Sequence, residues 1–115
     1  MSFLQGLREQ RIVVVGDLIV DKYRILKAKK LSPEAPVPIF EPHTEEYRPG
    51  GAANVAANLI ALGVGHVSLI TVIGRDNYDS IPDKEIANIF PPGSIAHFEG
   101  GRLTTIKERI VTRRQ

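Results

Sequence analysis

The residues of this chain whose types and spacing suit chemistry are two aspartates, a glycine pair that runs into an asparagine, and two late cations. Asp17 comes one glycine after the β-branched run Ile12-Val13-Val14-Val15, and Asp21 follows Leu18-Ile19-Val20. Carboxylates placed there can accept hydrogen bonds from sugar hydroxyls, hold a metal, or cap a turn, and the residues alone leave all three open. Gly50-Gly51 leads into Ala52-Ala53-Asn54-Val55-Ala56-Ala57-Asn58. Adjacent glycines let the backbone take positive φ and approach a ligand with no Cβ in the way, and the helix that follows points its free N–H groups at that turn. Asn54, in the first helical turn, can both donate to and accept from a hydroxylated ligand. The plainer reading is a tight turn and a small-residue helix packed closely on a sheet. Lys107 and Arg109 alternate along a candidate strand, where they suit an anionic ligand or form a solvated face.

These residues need a scaffold, and the hydrophobic pattern supplies one. Ser2 can cap a short helix through Gln10. Arg11-Ile12-Val13-Val14-Val15 is apolar without alternation, which predicts a central parallel strand covered on both faces. In an open α/β sheet the ligand crevice lies beyond the carboxyl ends of the strands, so Asp17 and Asp21 are both expected near it. Between Lys22 and Tyr47, Tyr23–Lys27 and Val37–Glu41 have strand character, but Pro33, Pro36, Pro38 and Pro42 push the segment to an edge or flap. Val55, Leu59 and Leu62 fall at helical spacing and are expected to seat the helix on the sheet, with Gly63 as its stop. His66–Gly74 reads as a second buried strand, reached by a parallel crossover. A polar turn at Arg75–Asp79, an amphipathic helix at Asp83–Phe90, a short strand at Ser94–Phe98 and an alternating strand at Leu103–Arg113 complete the chain.

Composition narrows the class. At 115 residues this is one domain at most, with room for one modest core. The 15 basic and 13 acidic residues give a net charge of +2, too slight to argue for nucleic acid. The bases gather at Lys27, Lys29 and Lys30 and again at Lys107, Arg109, Arg113 and Arg114. Cysteine is absent, so thiolate metal sites and disulfides are excluded. His43, His66 and His97 share no metal-ligand spacing, and no metal site is expected. No apolar run is long enough to span a bilayer, and the charged opening does not suit a signal peptide, so cytoplasmic residence is expected. Neither G-x-x-x-x-G-K-[ST] nor a G-x-G-x-x-G after the first strand is present, which counts against a P-loop nucleotidase and a dinucleotide-binding domain.

Four stretches taken together resemble the ribokinase-like (PfkB) carbohydrate kinases. They are Val15-Gly16-Asp17 with Asp21 and Tyr23, then Leu31-Ser32-Pro33-Glu34-Ala35-Pro36-Val37-Pro38, then Arg48-Pro49-Gly50-Gly51-Ala52-Ala53-Asn54-Val55-Ala56, and Thr105-Ile106-Lys107. The likeness runs from about Arg11 to the last residue and is nearest to the heptose-7-phosphate kinase domain of ADP-heptose synthesis enzymes. It implies an α/β fold, part of a three-layer α/β/α sandwich with a small β-lid at roughly residues 22–48. The implied reaction is transfer of the γ-phosphoryl of MgATP to a sugar hydroxyl. Asp21 and Asp17 would accept from sugar hydroxyls, Gly50, Gly51 and Asn54 would line the same pocket, and Lys107 and Arg109 would meet a sugar phosphate.

The resemblance also implies limits. One residue is inserted near Val64-Gly65-His66, Lys30 stands where the heptose branch usually has Arg, and the stretch from Asp76 to Thr105 is shortened, with Pro82 intruding. No Gly-Ala-Gly-Asp segment occurs, so the family's catalytic base, anion hole and ATP site are not among these residues. What is implied is residues 1–115 as the N-terminal, sugar-binding and lid portion of a sugar kinase, inactive alone and binding neither ATP nor Mg by itself, as a truncated product or one piece of a split enzyme. Expected partners are a sugar or sugar phosphate and either a second copy paired through the lid strands or a chain supplying the C-terminal half. Two other classes remain: a non-catalytic sugar-binding or assembly module, and a nucleotide-binding α/β domain of another family.

Overall fold

The computed structural model describes residues 2–75, Glu85, Ile89, 91–99 and 101–113. They form two three-stranded sheets joined at their roots. In the first sheet, β1 (Arg11–Val15), β4 (His66–Gly74) and β5 (Ile95–Glu99) lie parallel in the order β1-β4-β5. In the second, β2 (Leu18–Leu31) pairs antiparallel with β3 (Pro38–Gly51) and parallel with β6 (Ile106–Arg113), giving the order β3-β2-β6. The arrangement is mixed α/β, and the long β2–β3 hairpin covers the residues expected as the lid.

The proline rule holds within the hairpin. Pro38, Pro42 and Pro49 cannot donate to a ladder, and their strand, β3, takes an edge while proline-free β2 takes the centre. The lid strand begins earlier than its expected start at Lys22. Leu18 and Val20 belong to it, and they are buried with Leu69, Ile73, Ala53 and Ile89 in the core that joins the two sheets. Three polar contacts fasten the same junction. The Leu18 amide donates to the buried Thr71 hydroxyl at 3.0 Å, the Val20 amide donates to the Thr105 carbonyl at 2.9 Å, and the Thr104 hydroxyl donates to the Gly74 carbonyl at 2.6 Å. That last bond explains why β6 starts at Ile106 and not at Leu103: the preceding residues are held over the end of β4.

Several expectations are corrected. β1 is not a central strand covered on both faces; it lies at an edge, with Val13 and Val15 56% and 73% exposed. Only Ile12 and Val14 pack toward the helix layer, so its continuous apolarity has cover on one side. α2 (Ala52–Ala61) does not rest on Val55 and Leu62, which are 50% and 60% exposed; Ala53 and Ala56 are its buried residues, with Leu59 packed beside Ala56. Alanine lets the helix axis approach the sheet more closely than a larger side chain would, and that turns the larger residues outward. Gly63 ends α2 as expected. At φ 94 it donates to the Ile60 carbonyl while Val64 donates to that of Leu59, the paired bonds of a Schellman cap. α1 (Phe3–Leu7) has Ser2 and Gln5 as its capping box but stops before Gln10. There the Leu7 and Gln10 carbonyls turn to accept from Gly65 and His66. Of the helix expected at Asp83–Phe90, only Glu85 and Ile89 are among the described residues, and the turn after Arg75 lies outside them.

Candidate functional site

Site geometry begins at the glycine pair, whose two members do different things. Gly51 has φ 54 and ψ −130, a backbone that other residues rarely adopt, and caps α2 without a side chain. It lets the Ala52 amide donate to the Asp17 carbonyl at 2.9 Å, which draws the turn after β1 onto the start of the helix. Gly50 is not among the positive-φ residues, contrary to the reading of both glycines as turn formers. It is needed for space: a Cβ there would lie 2.7 Å from Asp21 Oδ2 and 2.9 Å from the Ile19 carbonyl oxygen.

Asp21 therefore sits against bare backbone on the central lid strand. Register places Arg48 opposite it on β3 and Lys107 opposite it on β6; Tyr23 faces Glu46 and Arg109 in the same way. Cross-strand partners share a face, so these six side chains stand on one side of the lid. Arg109 Nη1 donates to Asp21 Oδ1 at 3.2 Å and to the Tyr23 hydroxyl at 2.8 Å. Its guanidinium lies 5.3 Å from the centre of the Tyr23 ring, and that of Arg48 lies 4.8 Å from the same ring, both within cation–π range. Arg48 also pairs with Glu46 at 3.0 Å.

The other side of the lid is occupied differently. Val20 and Ile106 are packed at its root; farther out, Lys22 and Arg24 both pair with Glu45 and Glu108 at 3.0–4.0 Å, with Lys22 over the Tyr47 ring. That charge network closes within the lid, with Arg24 Nε buried beside Glu45 but not hydrogen-bonded, whereas the Asp21 side presents Lys107 exposed beside a carboxylate that is 22% exposed.

Asp17 and Asp21 do not meet in one cavity. Asp17 lines an apolar trough of about 260 Å³ at the carboxyl end of β1 and beside the middle of β4, with Val15, Gly16, Ile70, Thr71, Val72 and Ile95. Among the described lining residues Asp17 is the one predicted site residue. Asn54 is in the first turn of α2, as expected, but is exposed and makes no side-chain hydrogen bond among the described residues. The structure thus brings Asp21, Gly50, Lys107 and Arg109 together, ties Gly51 to Asp17 through backbone, and leaves Asn54 facing solvent at the helix mouth.

Tyr23 and Arg48 are the additions that the sequence reading did not place in the site. A signal for them was present: a hairpin centred on the Glu34–Ala35 peptide puts Asp21 opposite Arg48. Among the described residues no group of three or more His, Cys, Asp or Glu gathers as metal ligands would. No described helix is long and apolar enough to cross a membrane.

The model of the pfkB family of carbohydrate kinases matches residues 9–86. The chain is 40% identical over 114 residues to the bifunctional protein HldE of Halorhodospira halophila, an overlap of 97% of this chain and 23% of that protein. To the bifunctional protein HldE of Helicobacter acinonychis it is 44% identical over 108 residues, covering 92% and 23% respectively. Against that of Azorhizobium caulinodans the identity is 42% over 106 residues, covering 90% and 22%. The chain thus spans less than a quarter of the length of these curated relatives.

Proposed function

Since the chain belongs to the pfkB family of carbohydrate kinases, we propose that residues 1–115 form the sugar-binding and lid portion of an ATP-dependent sugar kinase whose acceptor is a heptose phosphate. Asp21 accepts from sugar hydroxyls, Gly50 gives that carboxylate room against the strand, Gly51 shapes the turn into α2, and Asn54 offers its amide from the helix mouth. Asp17 orders the turn below, and Lys107 and Arg109 meet the phosphate. The observation that carries this reading is the position of Asp21, on the central lid strand against a residue without Cβ and beside two cations of β6. MgATP is the phosphoryl donor in this proposal. The catalytic base and nucleotide site are assigned to chain other than these residues, which by themselves are proposed not to turn over.

The exposed apolar side of the first sheet, with Val13, Val15, Ile70 and Ile95 at 56%, 73%, 38% and 62% exposure, supports a working form in which more chain, a C-terminal-half partner or a second copy covers it. Cytoplasmic residence, where MgATP is available, belongs to the same proposal. That apolar face also favours a second reading, an assembly module with a vestigial pocket. Calorimetry separates the two. A carboxylate that accepts hydroxyl hydrogen bonds contributes about 1.5–3 kcal/mol, so Asp21→Ala should weaken binding of a heptose phosphate by about 10- to 100-fold. Heat of binding that Asp21→Ala leaves unchanged, or no heat from the parent chain, refutes the sugar-binding role.

A further inference from the structure

The proposed sugar acceptor is already engaged in this structure. Asp21 Oδ2 lies against Gly50, and Oδ1 accepts from Arg109 Nη1 at 3.2 Å. A neutral sugar that bonds Oδ1 must therefore share that oxygen with a guanidinium. Arg109 is not locked into that contact. Its side chain is 41% exposed, and the same nitrogen makes a shorter bond, 2.8 Å, to the Tyr23 hydroxyl. Tyr23 in turn carries Arg48 on its ring at 4.8 Å, so two guanidinium groups and Lys107 share a face with Asp21 and with Glu46, which pairs with Arg48 at 3.0 Å.

We propose that Arg109 is a specificity-determining residue: it masks Asp21 toward neutral sugars and yields it when a phosphate monoester on the acceptor sugar takes over the guanidinium. The inference rests on the reading of Asp21 as the sugar acceptor and adds which sugars that acceptor serves. A phosphate offers a guanidinium two parallel charge-assisted bonds, against the single bond to one carboxylate oxygen seen here. The Tyr23 hydroxyl keeps Arg109 on this face during the exchange, and Arg48 is the second cation within reach of the same anion. A plain structural ion pair would behave otherwise, since its removal would affect all sugars alike.

The experiment is calorimetry on the whole 115-residue chain with a neutral heptose and with the same heptose as its phosphate monoester, for the parent, Arg109→Met, Arg109→Lys and Asp21→Ala. Arg109→Met should weaken binding of the phosphate ester by about 10- to 100-fold through the lost charged bonds. It should tighten binding of the neutral heptose by about 1.5- to 5-fold, the range of a partly exposed ion pair. Arg109→Lys keeps the charge without the fork, so it should bind the ester with intermediate affinity and confirm the effect if the methionine variant folds poorly. Equal changes for both sugars, or an ester affinity that neither variant alters, overturns this inference alone. Binding that Asp21→Ala leaves intact, or a parent chain that binds neither sugar, overturns the reading of Asp21 and this inference with it.

Discussion

Replacing Gly51 by alanine tests whether the turn between lid and helix is built as described. The new Cβ would lie 2.5 Å from the Asp17 carbonyl oxygen, on a backbone at φ 54. That oxygen also accepts from the Ala52 amide at 2.9 Å, so a shift that relieves the clash stretches the bond holding α2 to the turn after β1. The left-handed backbone costs about 1–2 kcal/mol for an L-residue, and the weakened hydrogen bond about 1 kcal/mol more. With part of the clash unrelieved, the total is about 3 kcal/mol or more. In a domain of this size each kcal/mol moves Tm by about 4–8 °C, so Gly51→Ala should lower it by about 12 °C or more. Gly63→Ala is the internal control: φ is 94, but no atom lies within 4 Å of the new Cβ, so only the backbone cost applies. A fall of about 4–16 °C is expected there, smaller than that of Gly51→Ala. Circular dichroism melts of both variants measure the difference. Equal shifts, or a Gly51→Ala protein melting with the parent, would refute the geometry at Asp17.

Two further outcomes follow from the junction between the sheets. Thr71→Val removes the acceptor of the buried Leu18 amide and should cost about 1–3 kcal/mol in urea unfolding, with Thr71→Ser restoring most of it; a neutral valine variant would count against that bond as the tie between lid and core. Ala56→Leu at a fully buried position should destabilise by about 1–3 kcal/mol, whereas Val55→Ala on the exposed side of α2 should stay within about 0.5 kcal/mol, and the opposite order would mean the helix is seated as its larger residues suggest.

Much of the fold could be read from local pattern. β4 appears where a mainly apolar run places it and β5 close to the short strand expected at Ser94–Phe98, the prolines of β3 send it to an edge, and Gly63 stops α2. Failures arose where cover and partners come from distant chain. Nothing local to Ile12–Val15 tells whether one face or two will be covered, and Val55 and Leu62 look like core until the close approach of Ala53 and Ala56 to the sheet turns them outward. In the site, Asp21, Gly50 and Arg109 could be named from residue type, since a carboxylate, a missing Cβ and a cation each have their own chemistry. Their grouping with Tyr23 and Arg48 depends on a register that two irregularities, near Ile25 and near Lys30, leave unchanged beyond them. Such compensation is invisible without the paired strands. The expected shared position of Asp17 and Asp21 overlooked that a strand carries successive residues away from the crevice by about 3.3 Å each.

Amide shift mapping reaches the central claim most directly. Titrating the isotopically labelled chain with a heptose phosphate should move the backbone signals of Asp21, Gly50, Gly51, Asn54, Lys107 and Arg109 together, in one saturable process. Shifts confined to the apolar trough of Val15, Ile70 and Ile95, or none at saturating sugar phosphate, would contradict a sugar site on the Asp21 face of the lid.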